Sequence, residues 1–259
     1  MNIGLQKSAL LLARTGLLCS LVACGMEPWE SMPYKSELKV AQLSDGTEIR
    51  YSVAEPPLLD AEDPPTIVIA MPLGLETYRN ASLTISEIWQ PIAQSRGWVI
   101  VSPAEPNERF FWQDKWLYGK GAETHFPGFL EHLEKTYNVG NPNFHMVEIG
   151  HDGDGAVACV LTETDKFSSV TLVPHFGPEG DRMRLLGQKP NIRTTILISD
   201  QVRYWSRDDS ILPFDVPGVA IKKIPIPGLL SEEGIGPVLA SLPFICLEIE
   251  TAIHPREEE

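Results

Sequence analysis

The chain has 259 residues, enough for one domain of ordinary size and a short extension. With 43% hydrophobic residues it can bury a full core, which excludes a disordered chain, a collagen and a small disulfide scaffold. The formal charge of −14 repels phosphate backbones, so the composition argues against a nucleic-acid partner.

The first 23 residues are typical of a secretory signal peptide, with Lys7 and Arg14, no acidic residue, and apolar runs over 9–13 and 16–23. The sequence Leu-Val-Ala-Cys at 21–24 resembles the bacterial lipobox, in which a small residue precedes a cysteine that is lipidated. The resemblance implies that Cys24 becomes an acylated N-terminus that attaches the protein to a membrane. Since Gly25 rather than aspartate follows, it implies the outer membrane, with the protein facing the periplasm. A plain secretory signal or a single buried helix is the alternative.

These patterns predict a signal peptide over 1–23, a polar tether over 24–36 and one domain over 37–259. Loss of the signal peptide removes two basic residues and no acidic residue, so the mature chain carries a formal charge of −16. Anionic lipid should therefore repel the mature chain. Cys159 and Cys246 then remain, both in apolar patterns. They are either buried free thiols or a disulfide, and nothing local implies the bond.

The domain opens with a predicted β-hairpin over 38–53, because Asp45-Gly46 in its middle supplies the positive φ that a tight turn needs. Short apolar runs, typical of parallel strands buried on both faces, follow at 66–70, 98–101, 144–149, 169–173, 194–199 and 219–226. Helical patterns are predicted over 82–96, 123–137, 155–164 and 232–253. The alternation indicates an α/β fold, a mostly parallel, doubly wound sheet with an antiparallel N-terminal hairpin, in a single domain.

The most informative motif is Gly-His-Asp-Gly-Asp-Gly at 150–155, between a predicted strand and a predicted helix. It resembles the nucleophile elbow of α/β hydrolases, Gly-His-Ser-x-Gly-Gly, and the segments 96–103, 137–142 and 165–170 resemble the flanks found in esterase and depolymerase members. The resemblance implies an α/β-hydrolase fold with Asp152 at the apex, where the family has its serine.

The same resemblance implies two oxyanion donors, the N–H groups of Gly153 and Leu73. Leu73 lies in Met-Pro-Leu-Gly at 71–74, where the family has His-Gly-x-Gly. Asp152 and Asp154 flank Gly153 in the sequence, and their carboxyl groups would repel an oxyanion that develops beside the Gly153 N–H. A carboxylate that attacks an ester also forms a labile anhydride rather than a useful acyl-enzyme, so ordinary serine-hydrolase chemistry is not expected.

The family order of catalytic residues places Asp200 as the acid, after the strand at 194–199, and a histidine after the next strand. The loop at 227–231 contains no histidine, and His254 is the only one downstream. If 244–250 formed a last strand instead of part of the final helix, His254 would fall in the catalytic loop. The helix is the preferred interpretation.

Two hypotheses of function follow. In the first, the protein is a degenerate, non-serine hydrolase of the envelope that binds a small apolar ligand or a partner protein, or serves as a structural subunit. In the second, it is an active hydrolase that resembles the haloalkane dehalogenases and epoxide hydrolases, with Asp152 as nucleophile, Asp200 as orienting acid and His254 activating water. Neither requires a cofactor, and no metal site is predicted, since Ala-Val-Ala at 156–158 interrupts the calcium-loop pattern that begins at Asp152.

A binding pocket is predicted where the strands end. His175 follows the strand at 169–173, and the loop at 109–118 contains five aromatic residues, of which Phe111, Trp112 and Trp116 are the main pocket candidates. The alternative is that these aromatic residues form a lid that covers the core.

Overall fold

A computed structural model of the chain describes residues 37–59, 64–72, 78–104, 120–139, 144–150, 154–173, 180–199, 216–225 and 236–254. By its internal contacts the chain divides into Met1–Lys35 and a compact unit, Ser36–Glu259. All the elements below belong to the second unit.

The centre of this unit is an eight-stranded sheet in the order β1-β2-β4-β3-β5-β6-β7-β8. The strands are β1 Glu37–Gln42, β2 Glu48–Ala54, β3 Ile67–Ala70, β4 Val99–Ala104, β5 Phe144–Ile149, β6 Phe167–Val173, β7 Arg193–Ser199 and β8 Val219–Ile224. The pairs β1/β2 and β2/β4 are antiparallel, and every other pair is parallel. The predicted mostly parallel sheet with an antiparallel hairpin is confirmed.

In the part of the chain that the structure describes, five helices lie between parallel strands along the chain, and a sixth follows β8. They are α1 Tyr78–Leu83, α2 Gln90–Arg96, α3 Lys120–Tyr137, α4 Asp154–Thr162, α5 Gly180–Gly187 and α6 Gly236–Ile253. A π-helical turn at Thr84–Trp89 joins α1 to α2 without a break, so the predicted helix start at Ser82 is wrong: Ser82 lies buried inside the helix. The sequence patterns missed α5, which is short and buries only Met183 and Leu186.

Helices cover both faces of the sheet. One buried cluster contains the apolar residues of α3, α4 and α5, and the other contains those of α2 and α6. Cys159 belongs to the first cluster and Cys246 to the second, so the sheet separates them and both are free thiols. No helix in the described parts of the chain is long and apolar enough to cross a membrane.

The final helix α6 decides between the two interpretations of residues 244–250, a last strand or part of a helix. These residues are helical, and the strand interpretation is wrong. The reason is the spacing of the apolar side chains: Val238, Leu242, Ile245 and Ile249 recur every three or four residues and are all buried against the sheet.

A buried carboxylate ties α6 to the sheet. The side chain of Glu248 is only 3% exposed and forms ion pairs with Lys222 of β8 and Arg193 of β7, while the Thr195 hydroxyl donates to it over 3.0 Å. Burial raises the pKa of Glu248, but the hydrogen bonds and cations outweigh it and hold the pKa below its usual value. The charge is therefore retained inside the protein.

A buried histidine of β5 contacts the neighbouring strand β6. His145 is 2% exposed, and its Nδ1 lies 2.8 Å from the hydroxyl of Ser169. Burial disfavours the imidazolium and lowers the pKa of His145 to about 4, from an ordinary value of 6.5. Between about pH 4 and pH 6.5, the imidazole of His145 is therefore neutral in the folded protein but protonated in the unfolded chain.

We predict that this histidine makes the protein less stable in weak acid. Because its folded pKa is depressed, its contribution is complete above pH 6.5 and is lost as the pH falls from there towards 4, by about 3 kcal/mol in all. Denaturant unfolding at several pH values should show a shallower dependence over this range in His145→Gln than in the unsubstituted protein.

The half-buried His132 serves as the control for this measurement. Its pKa is also lowered, by burial first and then by Lys135 and Lys39, so His132→Gln should change the slope in the same direction by less. Equal slopes in the His145→Gln variant and the unsubstituted protein would contradict the prediction.

Candidate functional site

The strand ends that position the candidate site lie side by side at one edge of the sheet. Ile149, the last residue of β5, pairs with Val173, the last residue of β6. The Gly150 N–H donates to the Val173 carbonyl over 3.0 Å, and the Met71 N–H donates to the Val147 carbonyl over 2.9 Å. The segments after β3, β5 and β6 therefore leave the sheet next to one another.

The predicted elbow falls between a strand and a helix. β5 ends at Ile149, α4 begins at Asp154, and Asp152 and Gly153 lie between them, outside the described residues. Gly150 has a φ of +98°, which side chains rarely tolerate. A Cβ added there would meet no atom within 4 Å, so the backbone angle rather than crowding explains the glycine.

A buried acidic residue of β5 accepts a hydrogen bond from the first turn of α4. Glu148 in β5 is 2% exposed, and its Oε2 accepts a hydrogen bond from the N–H of Ala156 over 2.9 Å. Ala156 is the third residue of α4, whose first N–H groups have no partner within the helix. Gly153 precedes the helix and has no side chain that could cap it, so the carboxyl group of the preceding strand takes that role.

Sequence reasoning missed Glu148, although a signal was present. It is the one acidic residue in the apolar run at 144–149, and a carboxyl group inside a buried strand needs a partner.

The loop after β3 has limited capacity to supply oxyanion donors. The N–H of Met71 is already used by the Val147 carbonyl, and Pro72 has no N–H. Donation can therefore begin only at Leu73, which lies outside the described residues.

Most of the other predicted site residues also lie outside the described parts of the chain. Asp200 directly follows the last residue of β7, and His175 is two residues beyond the last residue of β6. Phe111, Trp112, Trp116 and Cys24 belong to segments of which nothing is described.

His254 is described, and it lies at the other edge of the sheet. It follows α6, and its N–H donates to the Glu250 carbonyl over 2.9 Å. It lines a groove together with Thr66, Gly97 and Trp98, which directly precede β3 and β4. The six residues of β5 span about 20 Å. The structure therefore does not bring His254 together with the end of β5.

Comparison with solved structures identifies the architecture. The chain superimposes on a ferulic acid esterase with a TM-score of 0.58 and 14% identity, over 85% of this chain and 98% of that one. It superimposes on an S-formylglutathione hydrolase from Agrobacterium tumefaciens with a TM-score of 0.56 and 12% identity, over 85% and 97%. A thermostable esterase gives a TM-score of 0.56 and 14% identity over 84% of this chain, which spans only 62% of that longer protein.

The chain has an α/β-hydrolase fold. No protein-family model and no curated protein sequence matches it. At 12–14% identity the likeness shows the fold alone, because α/β hydrolases share an architecture while their loops carry different chemistry.

We predict that Glu148 stabilises the α/β-hydrolase domain through its hydrogen bond to α4. Glu148→Leu leaves the buried Ala156 N–H without its acceptor and should lower the free energy of unfolding by about 1–3 kcal/mol. Glu148→Gln keeps an acceptor oxygen of the same reach and should cost less. Denaturant unfolding of both variants checks the order, and equal losses would contradict the assigned hydrogen bond.

Proposed function

We propose that the protein is a lipid-anchored envelope protein that keeps the α/β-hydrolase fold without serine-hydrolase chemistry, and that it acts by binding a small apolar ligand or a partner protein. The observation that carries the proposal is Asp152 at the position between β5 and α4 where the fold mounts its nucleophile.

The base that a hydrolase needs is also missing from the expected place. In this fold the histidine follows the last parallel strand, here β8, and the sequence at 227–231 is Pro-Gly-Leu-Leu-Ser. His254 lies beside the residues that precede β3 and β4, so it supports no alternative route to the end of β5. Without a base, a hydroxyl at the apex would gain little reactivity.

Stabilisation of an oxyanion is weakened in the same way. Pro72 cannot donate, and the Met71 N–H is occupied within the sheet. The sequence places two acidic residues, Asp152 and Asp154, on either side of Gly153, and we propose that their charges would repel a developing oxyanion. Nucleophile, base and oxyanion site thus all depart from the pattern of an active serine hydrolase.

A binding role remains compatible with the edge of the sheet where β5 and β6 end. The aromatic residues Phe111, Trp112 and Trp116 follow β4, and His175 follows β6. In parallel sheets, ligands bind outside the carboxyl ends of the strands, so these side chains are the proposed lining of the binding site.

We predict no esterase turnover at this site. The purified full chain should hydrolyse p-nitrophenyl acetate at the rate of the buffer, and Asp152→Ala should not change that rate. The matched variant Asp152→Ser restores the family's nucleophile, but it should stay inactive because no histidine is positioned to activate it. Turnover that is abolished by Asp152→Ala would overturn the proposal, and turnover gained in Asp152→Ser would show that a base is present.

The alternative function is hydrolysis through an aspartyl ester. It is favoured by the order of Asp152 after β5 and Asp200 after β7, which is the family's order of nucleophile and acid. In that reaction a carboxylate oxygen of Asp152 bonds to a saturated carbon and displaces a halide, or opens an epoxide. Water must then cleave the ester, and His254 at the other edge of the sheet is not placed to activate it.

We predict that no such ester forms. Mass spectrometry after incubation with a panel of haloalkanes and epoxides should find the peptide containing Asp152 unmodified. Asp152→Asn, which cannot form the ester in this way, is the control for labelling elsewhere. An adduct on the unsubstituted peptide that is absent from this variant would replace the binding proposal with the alternative.

A further inference from the structure

A groove lined by exposed leucines lies at the edge of the sheet where β3 and β4 begin. Its volume is about 830 Å³, and both the segment after β2 and the last turns of α6 line it. Leu58 and Leu59 of the segment are 89% and 44% exposed, and Leu247 of α6 is 51% exposed. They are three of the seven exposed large apolar residues in the described parts of the chain. Clustered apolar exposure of this kind marks a surface that contacts something apolar.

Acidic residues occupy the sequence that joins two lining residues of this groove. Leu59 and Pro64 both line it, and the residues at 60–63 between them are Asp-Ala-Glu-Asp. Because consecutive Cα atoms are about 3.8 Å apart, the Cα atom of each acidic residue is within about 8 Å of the Cα atom of Leu59 or Pro64. That distance is about one Debye length at physiological ionic strength, so these three charges act at the groove.

The lining offers no excess positive charge to offset these carboxylates. Among the described lining residues, Arg96 is the only lysine or arginine, and it forms an ion pair with Glu250. The Arg96 guanidinium also lies 5.9 Å from the centre of the Trp98 ring. The groove therefore combines an apolar lining with an adjoining segment of net negative charge.

This combination selects among the apolar surfaces that could cover the leucines. A second copy would bring a chain of formal charge −14 and the same acidic segment to the contact, and like charges would repel. A surface without charge would cover the leucines but would leave the carboxylates without a partner. A segment that is both apolar and basic complements both features, because its lysines or arginines can pair with the carboxylates while its apolar side chains cover the leucines.

The strands at the groove favour a helix over an added strand. A strand can be added only at an unpaired sheet edge, and β3 and β4 each have a neighbour on both sides. A helix needs only an apolar groove for the side chains on its apolar face. A helix about 10 Å wide with a volume of 830 Å³ has roughly two turns, which matches the size of the groove.

We infer that this groove binds an amphipathic basic helix of a partner protein. The apolar face of that helix covers Leu58, Leu59 and Leu247, and its lysines or arginines lie beside the acidic segment 60–63. The surface is at the opposite edge of the sheet from the proposed ligand site. The inference therefore depends neither on that site nor on the proposed lipid anchor.

The probe for this surface is a fluorescein-labelled synthetic peptide of about 14 residues, made of leucine and lysine only, with its leucines at helical spacing. Fluorescence anisotropy at physiological salt measures its binding to the purified full chain. A second peptide with glutamate in place of every lysine is the control for charge. We expect the lysine peptide to bind and the glutamate peptide not to bind.

The apolar contact is tested with the double variant Leu58→Gln/Leu247→Gln, which should weaken binding of the lysine peptide about tenfold. The matched control is Leu185→Gln/Leu239→Gln, because these leucines are 52% and 43% exposed but do not line the groove. It should bind the peptide as the unsubstituted chain does. All four side chains are exposed, so neither variant removes a core contact.

The charge contact is tested with Glu62→Gln/Asp63→Asn, which keeps the shape of both side chains and should weaken binding about fivefold. The matched control, Glu131→Gln/Asp181→Asn, removes two carboxylates that are 57% and 84% exposed and do not line the groove. It should leave the affinity within about twofold of the unsubstituted chain.

The inference would be overturned if the lysine peptide does not bind, if the glutamate peptide binds equally well, or if either groove variant binds as tightly as its control. A protein that sediments as a dimer, and as a monomer once Leu58→Gln/Leu247→Gln is introduced, would assign the groove to a second copy instead. None of these results bears on the chemistry of Asp152, so the proposed function is tested separately.

Discussion

All strands from β3 to β8 run in one direction, and this constraint gives the sheet two different edges, one where these strands begin and one where they end. Along β3 to β7 each strand has a neighbour on both sides, and nearly all side chains are buried under helices on the two faces. Only where the strands begin or end can side chains serve anything other than packing. At one edge lie the segments that follow β3, β5 and β6, and at the other lies a groove with exposed leucines.

The turn after β5 is supported by contacts that do not depend on the residue at its predicted apex. The positive φ of Gly150 and the hydrogen bond from Ala156 to Glu148 join strand to helix through backbone geometry and a buried carboxyl group. Neither contact involves the side chain of residue 152. A serine or an aspartate at the apex therefore leaves these supports unchanged, while the reactions available to the two side chains differ entirely.

Two buried ionisable groups, Glu248 and His145, differ in charge state because their neighbours differ. Glu248 stays charged because Lys222, Arg193 and Thr195 contact it. His145 stays neutral because burial lowers its pKa, and its Nδ1 lies beside the Ser169 hydroxyl. Glu248 joins α6 to β7 and β8, and His145 joins β5 to β6. The candidate site is instead proposed at loop positions, where a scaffold of this kind usually places its function.

The sequence by itself determined the hairpin, the parallel strands, α3, α4 and α6, because each has a local signal: Asp45-Gly46 at a turn, continuous apolar runs, or apolar residues at helical spacing. The sequence also identified Asp152 as a candidate, because the motif at 150–155 consists of consecutive residues and can be recognised without knowledge of the fold. Only the tertiary structure decided where His254 lies, that Cys159 and Cys246 are on different faces, that Glu148 caps α4, and that the leucines share one groove. Except for the Glu148 contact, which spans the eight residues across one turn, these facts depend on residues far apart in the chain. The direction and order of the strands, which no local pattern specifies, decide them.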